Sequence, residues 1–443
     1  MNISSSSSPS KDIPPDGRRT VLITGSRSPV SLELARLLGG AGHRIIMADS
    51  LLVTIGSASR FVTRHYCYPP PRHEQERFLA IIERIVIDEQ VDCVIPTCEE
   101  VFYLAQRQRA WPNGCELFAP PWEMLKQLHH KGQFIEMIRQ AGLHAPSTQL
   151  LTSQAEACGY IQALGEDAAV LKPAYSRFAS RVLFVRAGYA LPDDILITPD
   201  YPWVGQQYIH GTLYCTYSIV RDGSVCAHAC YPSKFTAGAG ASIAFKHEPQ
   251  ADLLAWVQRF VAPLRYTGQI AFDFIVTPER NIYPIECNPR ATSGVHCFTV
   301  SDQLDKAFFE VNGGINGDTE VGMDGCTNNT ANQNTYLDAN FDANLGEHHA
   351  RAYPIEPTST RPAMLTLAML AYGWRSPRRA YWLRELWKGQ DVIFRWQDPK
   401  PFVAQAVMLY RFWRESKKRS ISLIEATTSD IEWNGESSCA DEH

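Results

Sequence analysis

The sequence predicts an open parallel α/β domain at the start of the chain, an antiparallel α+β region after it, and a helical C-terminal extension. Two local patterns carry this prediction. Between Thr20 and Asp49 the order is buried strand, glycine turn, helix and buried strand, which is a βαβ unit with parallel strands. Asp222 and Gly223 separate two strand-like runs, and Asp-Gly in that setting is the strongest short signal for an antiparallel hairpin.

The composition is that of a soluble globular protein. The chain has 443 residues, of which 45% are hydrophobic and 20% charged, and about 150 residues per domain predicts roughly three domains. The net charge of -5 gives no basic excess for binding nucleic acid, so no nucleic-acid partner is expected. No apolar run reaches the roughly 18 residues of a membrane span, so no transmembrane segment is expected. The 12 cysteines are scattered through apolar stretches, which favours reduced thiols and a cytoplasmic location.

Residues 18–120 are predicted to form the parallel α/β domain, after a disordered Ser/Pro-rich tail at 1–17. A second cycle follows the first βαβ unit, with a helix near 74–89 and a strand at 91–96. A Rossmann cofactor domain is one interpretation. However, the first turn has a single glycine, Gly25, and lacks the G-x-G-x-x-G spacing that lets backbone approach a pyrophosphate. Nicotinamide binding is therefore disfavoured.

Residues 121–310 are predicted to form the antiparallel α+β domain. Amphipathic helices are expected over 123–141 and 251–262, where apolar residues recur at helical spacing. The predicted strands share short apolar runs, and they cover 170–173, 203–209, 213–220, 224–230, 269–276 and 282–287. The last two strands are joined by a turn at 277–281, which makes them a second hairpin.

Three segments complete the chain. Residues 311–350 are rich in Asn, Asp, Gly and Thr, which predicts a flexible insertion. Residues 351–428 are predicted to be helical, and 429–443 to be a free tail. Arginines accompany the aromatic residues of the helical region, so a peripheral membrane element is one interpretation. Aromatic stripes at helical spacing are more typical of a core or of a dimer contact, so a homodimer is an option and the oligomeric state stays open.

Acidic residues interrupt both strands of the second hairpin. Asp273 and Glu286 each stand in an apolar run, where a lone carboxylate is costly unless something compensates it. Together with Asn288 they offer an all-oxygen set that suits Mg²⁺, and Mg²⁺ held by one or two carboxylates usually binds nucleotide phosphates. Arg290 would then reach a phosphate or carboxylate bidentately. The alternative is that both acids form structural ion pairs, but the joint pattern favours the metal site.

Polar residues after this hairpin are candidates for contacting the acceptor substrate. Thr292, Ser293 and His296 follow Arg290 closely in sequence. For His296 a substrate contact and an ordinary core role are weighed equally, because either fits an isolated histidine in a loop. Lys234, in the strand pair after the first hairpin, is a weaker candidate of the same kind.

The two strands also resemble a known family. Phe-Asp-Phe at 272–274 and Ile-Glu-Cys-Asn-Pro-Arg at 285–290 look like the metal-binding strands of the ATP-grasp superfamily. The resemblance implies an ATP-grasp fold in which 18–120 is a Rossmann-like pre-ATP-grasp domain. It also implies that Lys131 and Lys172 contact ATP phosphates. The resemblance further implies a hinge that hydrogen-bonds adenine by its backbone, formed by Gln206, Gln207, Tyr208 and Ile209, before Gly211.

A closer resemblance is to the ATP-grasp ligases of mycosporine-like amino acid biosynthesis, which join glycine to 4-deoxygadusol. It rests on 213–223, 256–261, 267–270 and 285–290, with 389–402 in the C-terminal region. The resemblance implies ATP with Mg²⁺ (or Mn²⁺) as cofactors, and a small-molecule acceptor and an amine or amino acid as substrates. The activity implied is a carbon–nitrogen ligase of secondary metabolism, which activates a carboxylate or enol by phosphorylation. Arg290 and Lys172 would be its catalytic residues.

The sequence departs from the family pattern at two places. Gln206 and Gln207 stand where ATP-grasp hinges usually carry a ribose-binding Glu, and the loop at 174–181 has no glycine. Without glycine, backbone amides approach phosphates less easily, so Ser176, Ser180 and Arg181 are expected to compensate with their side chains. These departures keep a second hypothesis open, in which the protein is a nucleotide-binding regulator or scaffold without catalysis.

Overall fold

The computed structural model describes residues 17–107, 109–175, 182–237, 241–309, 353–375 and 379–435. The predicted N-terminal tail up to residue 16, the predicted insertion at 311–350 and the end of the chain from 436 lie outside the described residues.

The first sheet is parallel throughout, as the βαβ pattern predicts. Its strand order is β3-β2-β1-β4-β5. The elements are β1 (Thr20–Thr24), α1 (Pro29–Gly40), β2 (Arg44–Asp49), β3 (Val62–Cys67), α2 (Gln75–Asp88), β4 (Cys93–Ile95), α3 (Glu100–Ala105) and β5 (Glu116–Leu117). Asp49, the acid at the end of β2, is fully buried and lies 2.6 Å from the Arg27 guanidinium, so it serves as a structural ion-pair partner.

The single helix predicted over 123–141 is wrong, because the chain forms two helices there. They are α4 (Trp122–His129) and α5 (Lys131–Gln140). His130 has extended backbone angles between them, and its Nδ1 accepts hydrogen bonds from the N–H groups of Gly132 and Gln133, both at 3.1 Å. A side chain that caps the new helix start competes with continuation of the old helix. The break places Lys131 in the first turn of α5.

Two antiparallel sheets form the middle of the molecule, with orders β6-β9-β7-β8 and β11-β10-β15-β16. The elements are β6 (Thr148–Leu151), α6 (Gln154–Gln162), β7 (Ala168–Pro173), β8 (Leu183–Arg186), β9 (Trp203–Gln207), β10 (Thr212–Arg221), β11 (Ser224–Pro232), β12 (Thr236–Ala237), β13 (Ala241–Ser242), β14 (Ala244–Phe245), α7 (Ala251–Val261), β15 (Gly268–Val276), β16 (Ile282–Asn288) and α8 (Leu304–Phe309). The predicted hairpin is confirmed. Asp222 and Gly223 both have positive φ, 45° and 79°, as a type I′ turn requires.

The C-terminal region is mainly helical and is anchored to the first domain. Its elements are β17 (Ala363–Met364), α9 (Thr366–Tyr372), α10 (Arg379–Lys388), β18 (Gln390–Asp391), α11 (Lys400–Arg419) and α12 (Leu423–Ala426). Arg36 of α1 lies 2.9 Å from Asp398 and donates to the carbonyls of Val392 and Ile393, all in buried surroundings. None of the helices in the described ranges is long and apolar enough to cross a membrane.

The free tail predicted from residue 429 is wrong for 429–435, which pack against the first domain. Ile431 and Trp433 are only 1% and 2% exposed. Trp433 belongs to the apolar core that also holds Phe102 and Val94. Two apolar residues spaced by one polar residue gave too weak a pattern for the sequence to predict this packing.

Acid is expected to destabilise the β10–β11 hairpin through His228. Burial lowers the pKa of His228 to about 3. Nδ1 of the neutral imidazole forms a hydrogen bond with the Ser218 hydroxyl at 2.9 Å. The unfolded chain takes up a proton near pH 6.5, so stability is complete above that pH and falls by up to about 1.4 kcal/mol per pH unit between about pH 6.5 and 3. Urea unfolding of His228→Gln should therefore depend less on pH than wild type. The exposed His73→Gln variant is the control, and parallel curves for wild type and His228→Gln would contradict this assignment.

Candidate functional site

Asp273 and Glu286 face each other across neighbouring strands. In the pairing of β15 with β16, Asp273 lies opposite Glu286, and Ala271 lies opposite Asn288. Directly opposed residues of an antiparallel pair share a face, and residues two apart in one strand do so too. The opposite face of β15 presents the fully buried Phe272 to the core. The three predicted oxygen ligands are therefore brought to one face of the sheet.

Two lysines converge on this face from other elements. Lys172, on β7, donates from Nζ to the Ile285 carbonyl at 2.9 Å and to Oε1 of Gln206 at 3.0 Å. Lys131, at the start of α5, places its Nζ 3.5 Å from Oε1 of Glu286. Lys131 and Lys172 are 2% and 6% exposed. Burying an ammonium group costs free energy unless nearby opposite charges or hydrogen bonds compensate it. Two buried lysines side by side therefore indicate a site built around charged groups.

The pKa values at the site are displaced in opposite directions. Burial, reinforced by the neighbouring Glu286 charge, raises the pKa of Asp273 to about 6. Burial lowers the pKa of Lys172 to about 8, although the nearby Glu286 opposes that shift. Crowded carboxylates and cations with displaced pKa values are typical of functional sites.

Arg290 continues the charged cluster at the end of β16. Its Nη2 donates to Oδ1 of Asn288 at 2.9 Å, and its Nη1 donates to the Ala291 carbonyl at 3.2 Å. The guanidinium is thereby held beside the same amide oxygen that the sequence predicts as a metal ligand. Its charge also lowers the pKa of Asp273, against the larger effect of burial.

The donor set fits a hard divalent cation. Asp273 and Glu286 supply two carboxylates. Burial, together with the Glu286 charge, raises the pKa of Asp273, and a bound cation would stabilise its ionised form. The described ranges contain no group of three or more His, Cys, Asp or Glu side chains able to hold a metal. Asn288 supplies a third oxygen, and Mg²⁺ characteristically completes its shell with water and phosphate. The set therefore suits Mg²⁺ accompanied by a polyphosphate better than a metal held by protein alone.

The predicted hinge lies beside Lys172, at the end of β9. Gln206 is buried and joins Lys172 to Thr148, to whose Oγ1 its Nε2 donates at 3.0 Å. The N–H of Gln207 donates to the Ser147 carbonyl at 2.8 Å, and that of Tyr208 donates to the Ala168 carbonyl at 3.0 Å. Both backbone N–H groups therefore already donate to carbonyl groups of neighbouring segments. Ile209, the fourth predicted hinge residue, follows the strand and is mostly buried.

Cys215 and Tyr231 adjoin the acidic pair, and neither was predicted. On β10, Cys215 lies opposite both Tyr231 of β11 and Asp273 of β15. Burial and the Asp273 carboxylate raise the pKa of the Cys215 thiol well above its ordinary value, so it is a neutral hydrogen-bond donor to Asp273. The signal was absent from the sequence, because the β10–β15 pairing joins segments about 58 residues apart and its register depends on the whole sheet.

Of the two roles weighed for His296, the structure favours the core role, because the ring is buried. Its side chain is 1% exposed, its Nδ1 lies 3.2 Å from the fully buried Glu33, and its ring stacks on Phe245 at 5.5 Å. Glu33 also forms two 2.7 Å bonds with Arg395. Glu33 therefore links His296 to Arg395 of the C-terminal region, and His296 takes the core role that the sequence left open.

The remaining candidates for contacting the acceptor lie in two regions, after β16 and after β11. Oγ1 of Thr292 is buried and has no hydrogen-bond partner among the described residues, and Ser293 begins the short 3₁₀ turn that follows. Lys234 forms a partly exposed ion pair with Glu248. The three predicted phosphate-loop residues lie outside the described residues; they are Ser176, Ser180 and Arg181.

Comparison with known proteins identifies the fold that contains this site. Residues 128–294 match a family described as an ATP-grasp domain. The Staphylococcus aureus N5-carboxyaminoimidazole synthetase complexed with ADP is similar with a TM-score of 0.52 and 10% identity, over 65% of this chain and 76% of that chain. The L-amino acid ligase from Bacillus licheniformis is similar with a TM-score of 0.50 and 14% identity, over 65% of this chain and 70% of that one. No curated protein sequence matches.

A third similar structure is the Rhizobium etli pyruvate carboxylase, with a TM-score of 0.51 and 14% identity, over 68% of this chain and 29% of that one. At these identities the likeness concerns the fold. The chain has the ATP-grasp fold, as its two metal-type strands indicated.

Proposed function

We propose that the protein is an ATP- and Mg²⁺-dependent ligase that joins a phosphate-activated carboxylate or enol to the nitrogen of an amino acid or another amine. The observation that carries the proposal is the convergence of Asp273 and Glu286 with Lys131 and Lys172. Two carboxylates opposed on one sheet face meet two buried cations from separate elements. This arrangement suits a triphosphate and its divalent cation.

The residues take complementary roles in this proposal. Lys131 and Lys172, both buried, place positive charge along the phosphates, where it offsets the charge of ATP. Asp273, Glu286 and Asn288 would hold Mg²⁺, which when bound supplies charge neutralisation at the phosphate oxygens. Arg290 lies next to Asn288 and would bind the transferring phosphoryl group or the acceptor carboxylate bidentately.

The chemistry has two balanced steps. The acceptor oxygen attacks the γ-phosphorus of ATP, and the bond to the β-phosphate oxygen breaks, which releases ADP. The amine nitrogen then attacks the activated carbon, phosphate leaves and the nitrogen loses a proton, so the product is acceptor plus amine minus water. Acyl and enol phosphates hydrolyse readily, so the cleft must exclude water, in keeping with the buried lysines.

The substrate class rests on two lines of support. One is the resemblance of 285–290 and 389–402 to the mycosporine-type ligases, which favours a cyclic enol-type acceptor and a role in secondary metabolism. The other is the fold likeness to an L-amino acid ligase, which makes an amino acid the first amine to try.

ADP release should require both an acceptor and an amine. The test is a screen of carboxylic acids and cyclohexenones against the amino acids, followed by product mass. We expect one combination to give ADP and a product equal to the sum of both substrates minus water. Binding of ATP without turnover in every combination would instead support a nucleotide-binding regulator, an alternative favoured by Gln206 and Gln207 in place of the usual hinge acid.

A further inference from the structure

The end of the chain covers the carboxyl edge of the first sheet. We name residues 427–435 the C-terminal clasp. It crosses between β1 and β4, which lie side by side where the order of the parallel strands reverses. In open parallel sheets this crevice is where ligands bind. Here the residues that follow the two strands, Arg27 and Glu99, bond to Asp430 and Trp433 of the clasp.

Charged hydrogen bonds fix the clasp at both of its ends. The Arg27 guanidinium binds Asp430 bidentately, at 2.7 and 2.8 Å, and also donates to the Thr427 carbonyl at 3.1 Å. The N–H of Trp433 donates to Oε2 of Glu99 at 3.0 Å. Bidentate pairs of this kind set orientation as well as energy. The clasp is therefore a built contact with a defined position.

Trp433 is the apolar anchor of the clasp. It is 2% exposed, and its ring stacks on Phe102 with centroids 5.0 Å apart. Trp122, at the start of α4, meets it edge-on at 5.0 Å, and Tyr175 meets it edge-on at 5.1 Å. Such aromatic pairs add stabilisation beyond the area that they bury.

Tyr175 connects this anchor to the two lysines. It comes three residues after Lys172 on the chain that leaves β7, and its ring meets His130 edge-on at 4.9 Å. Its neighbour Ala174 accepts a 3.0 Å bond from the N–H of Lys131. The Trp433–Tyr175 contact therefore lies where the end of β7 and the start of α5 meet.

From this geometry we infer that Trp433 is a positioning residue for the nucleotide. It supports Tyr175 and thereby fixes the strand end that carries Lys172 and the helix start that carries Lys131. The inference rests on the proposed function, since it assigns both lysines to ATP. Displacing two phosphate-binding cations by a fraction of an ångström weakens binding steeply. The residues proposed to contact the acceptor, Arg290, Thr292 and Ser293, follow β16 and belong neither to the clasp nor to β7 or α5, so we expect the acceptor's own affinity to be independent of the clasp.

The test compares Trp433→Ala with Trp433→Phe in the full-length protein. Calorimetric titration with Mg-ATP should show about tenfold weaker binding for Trp433→Ala, and near wild-type binding for Trp433→Phe, which keeps an aromatic contact. In turnover assays the KM for ATP should rise while the KM for the acceptor stays unchanged. Wild-type Mg-ATP affinity in a folded Trp433→Ala protein would overturn the inference. Absence of Mg-ATP binding by wild type itself would instead refute the proposed function.

A milder variant keeps the inference testable if Trp433→Ala does not fold. Gly435 is exposed with φ of +86°, and a Cβ there would lie 2.4 Å from Cε2 of Tyr175. Gly188 has nearly the same φ, +82°, with nothing within 4 Å of its Cβ position. Gly435→Ala should therefore weaken Mg-ATP binding, whereas the matched control Gly188→Ala should not. Equal affinity in both variants would overturn the role of the clasp.

Discussion

Replacing Glu286 by Gln is expected to reduce ADP release at least about 100-fold, with the protein still folded. The carboxylate lies opposite Asp273 and 3.5 Å from the Lys131 ammonium, so the change removes one of the two negative charges that would hold the cation. Gln keeps the shape of the side chain, which separates loss of charge from loss of packing. Asp273→Asn should have an effect of the same order, because the two carboxylates act on one ion.

Glu279 provides the matched control for this prediction. It is an exposed acid in the turn that joins β15 to β16, so Glu279→Gln removes the same charge from the same hairpin at the far end. Its turnover should equal that of wild type within about twofold. Thermal unfolding should show that Glu286→Gln is folded. Wild-type ADP release by that variant would refute the role assigned to the acidic pair.

Replacing Lys172 by Met is expected to lower kcat/KM for ATP by about 100-fold or more. Met preserves most of the buried stem but removes the ammonium that donates to Gln206 and to the Ile285 carbonyl. Two acceptors then lose a buried donor, so a modest loss of stability is expected as well. The loss of kcat/KM for ATP must therefore be larger than the loss that partial unfolding of the variant would cause.

The control for this variant is Lys126→Met. Lys126 lies on α4, is partly exposed and forms an i,i+3 ion pair with Glu123 that does not involve the residues of the charged cluster. Such exposed pairs contribute little, so both the melting temperature and the kinetics should stay near wild type. If Lys172→Met turned over ATP as wild type does, Lys172 would be a structural lysine only.

Local patterns sufficed for the second hairpin itself, because the turn at 277–281 joins adjacent antiparallel strands. They did not suffice for the opposition of the two acids. Regular pairing from that turn would set Asp273 opposite Ile285, and a register shift between Asp273 and Phe274 sets it opposite Glu286 instead. The approach of Lys131 to Glu286 joins residues 155 positions apart, and only the family resemblance indicated it. Cys215 and the Trp433 anchor were missed for the same physical reason, since long-range register and docking leave no local periodicity.

Side-chain competition explains two other differences. The helix pattern over 123–141 continues through His130, but the imidazole caps α5 and ends α4. His296 follows Arg290 closely in sequence, yet Glu33 holds it in the core, because a buried carboxylate already paired with Arg395 has a second bond to satisfy. Both outcomes depend on partners that the linear sequence does not identify.

Calorimetric titration of ATP with and without Mg²⁺, for wild type and for the Asp273→Asn/Glu286→Gln double variant, tests the central claim most directly. We expect wild type to bind one ATP per chain far more tightly when Mg²⁺ is present. The double variant should lose that Mg²⁺-dependent gain while keeping a folded core. If it instead bound Mg-ATP as tightly as wild type, with the same dependence on Mg²⁺, the acidic pair would not be the cation site.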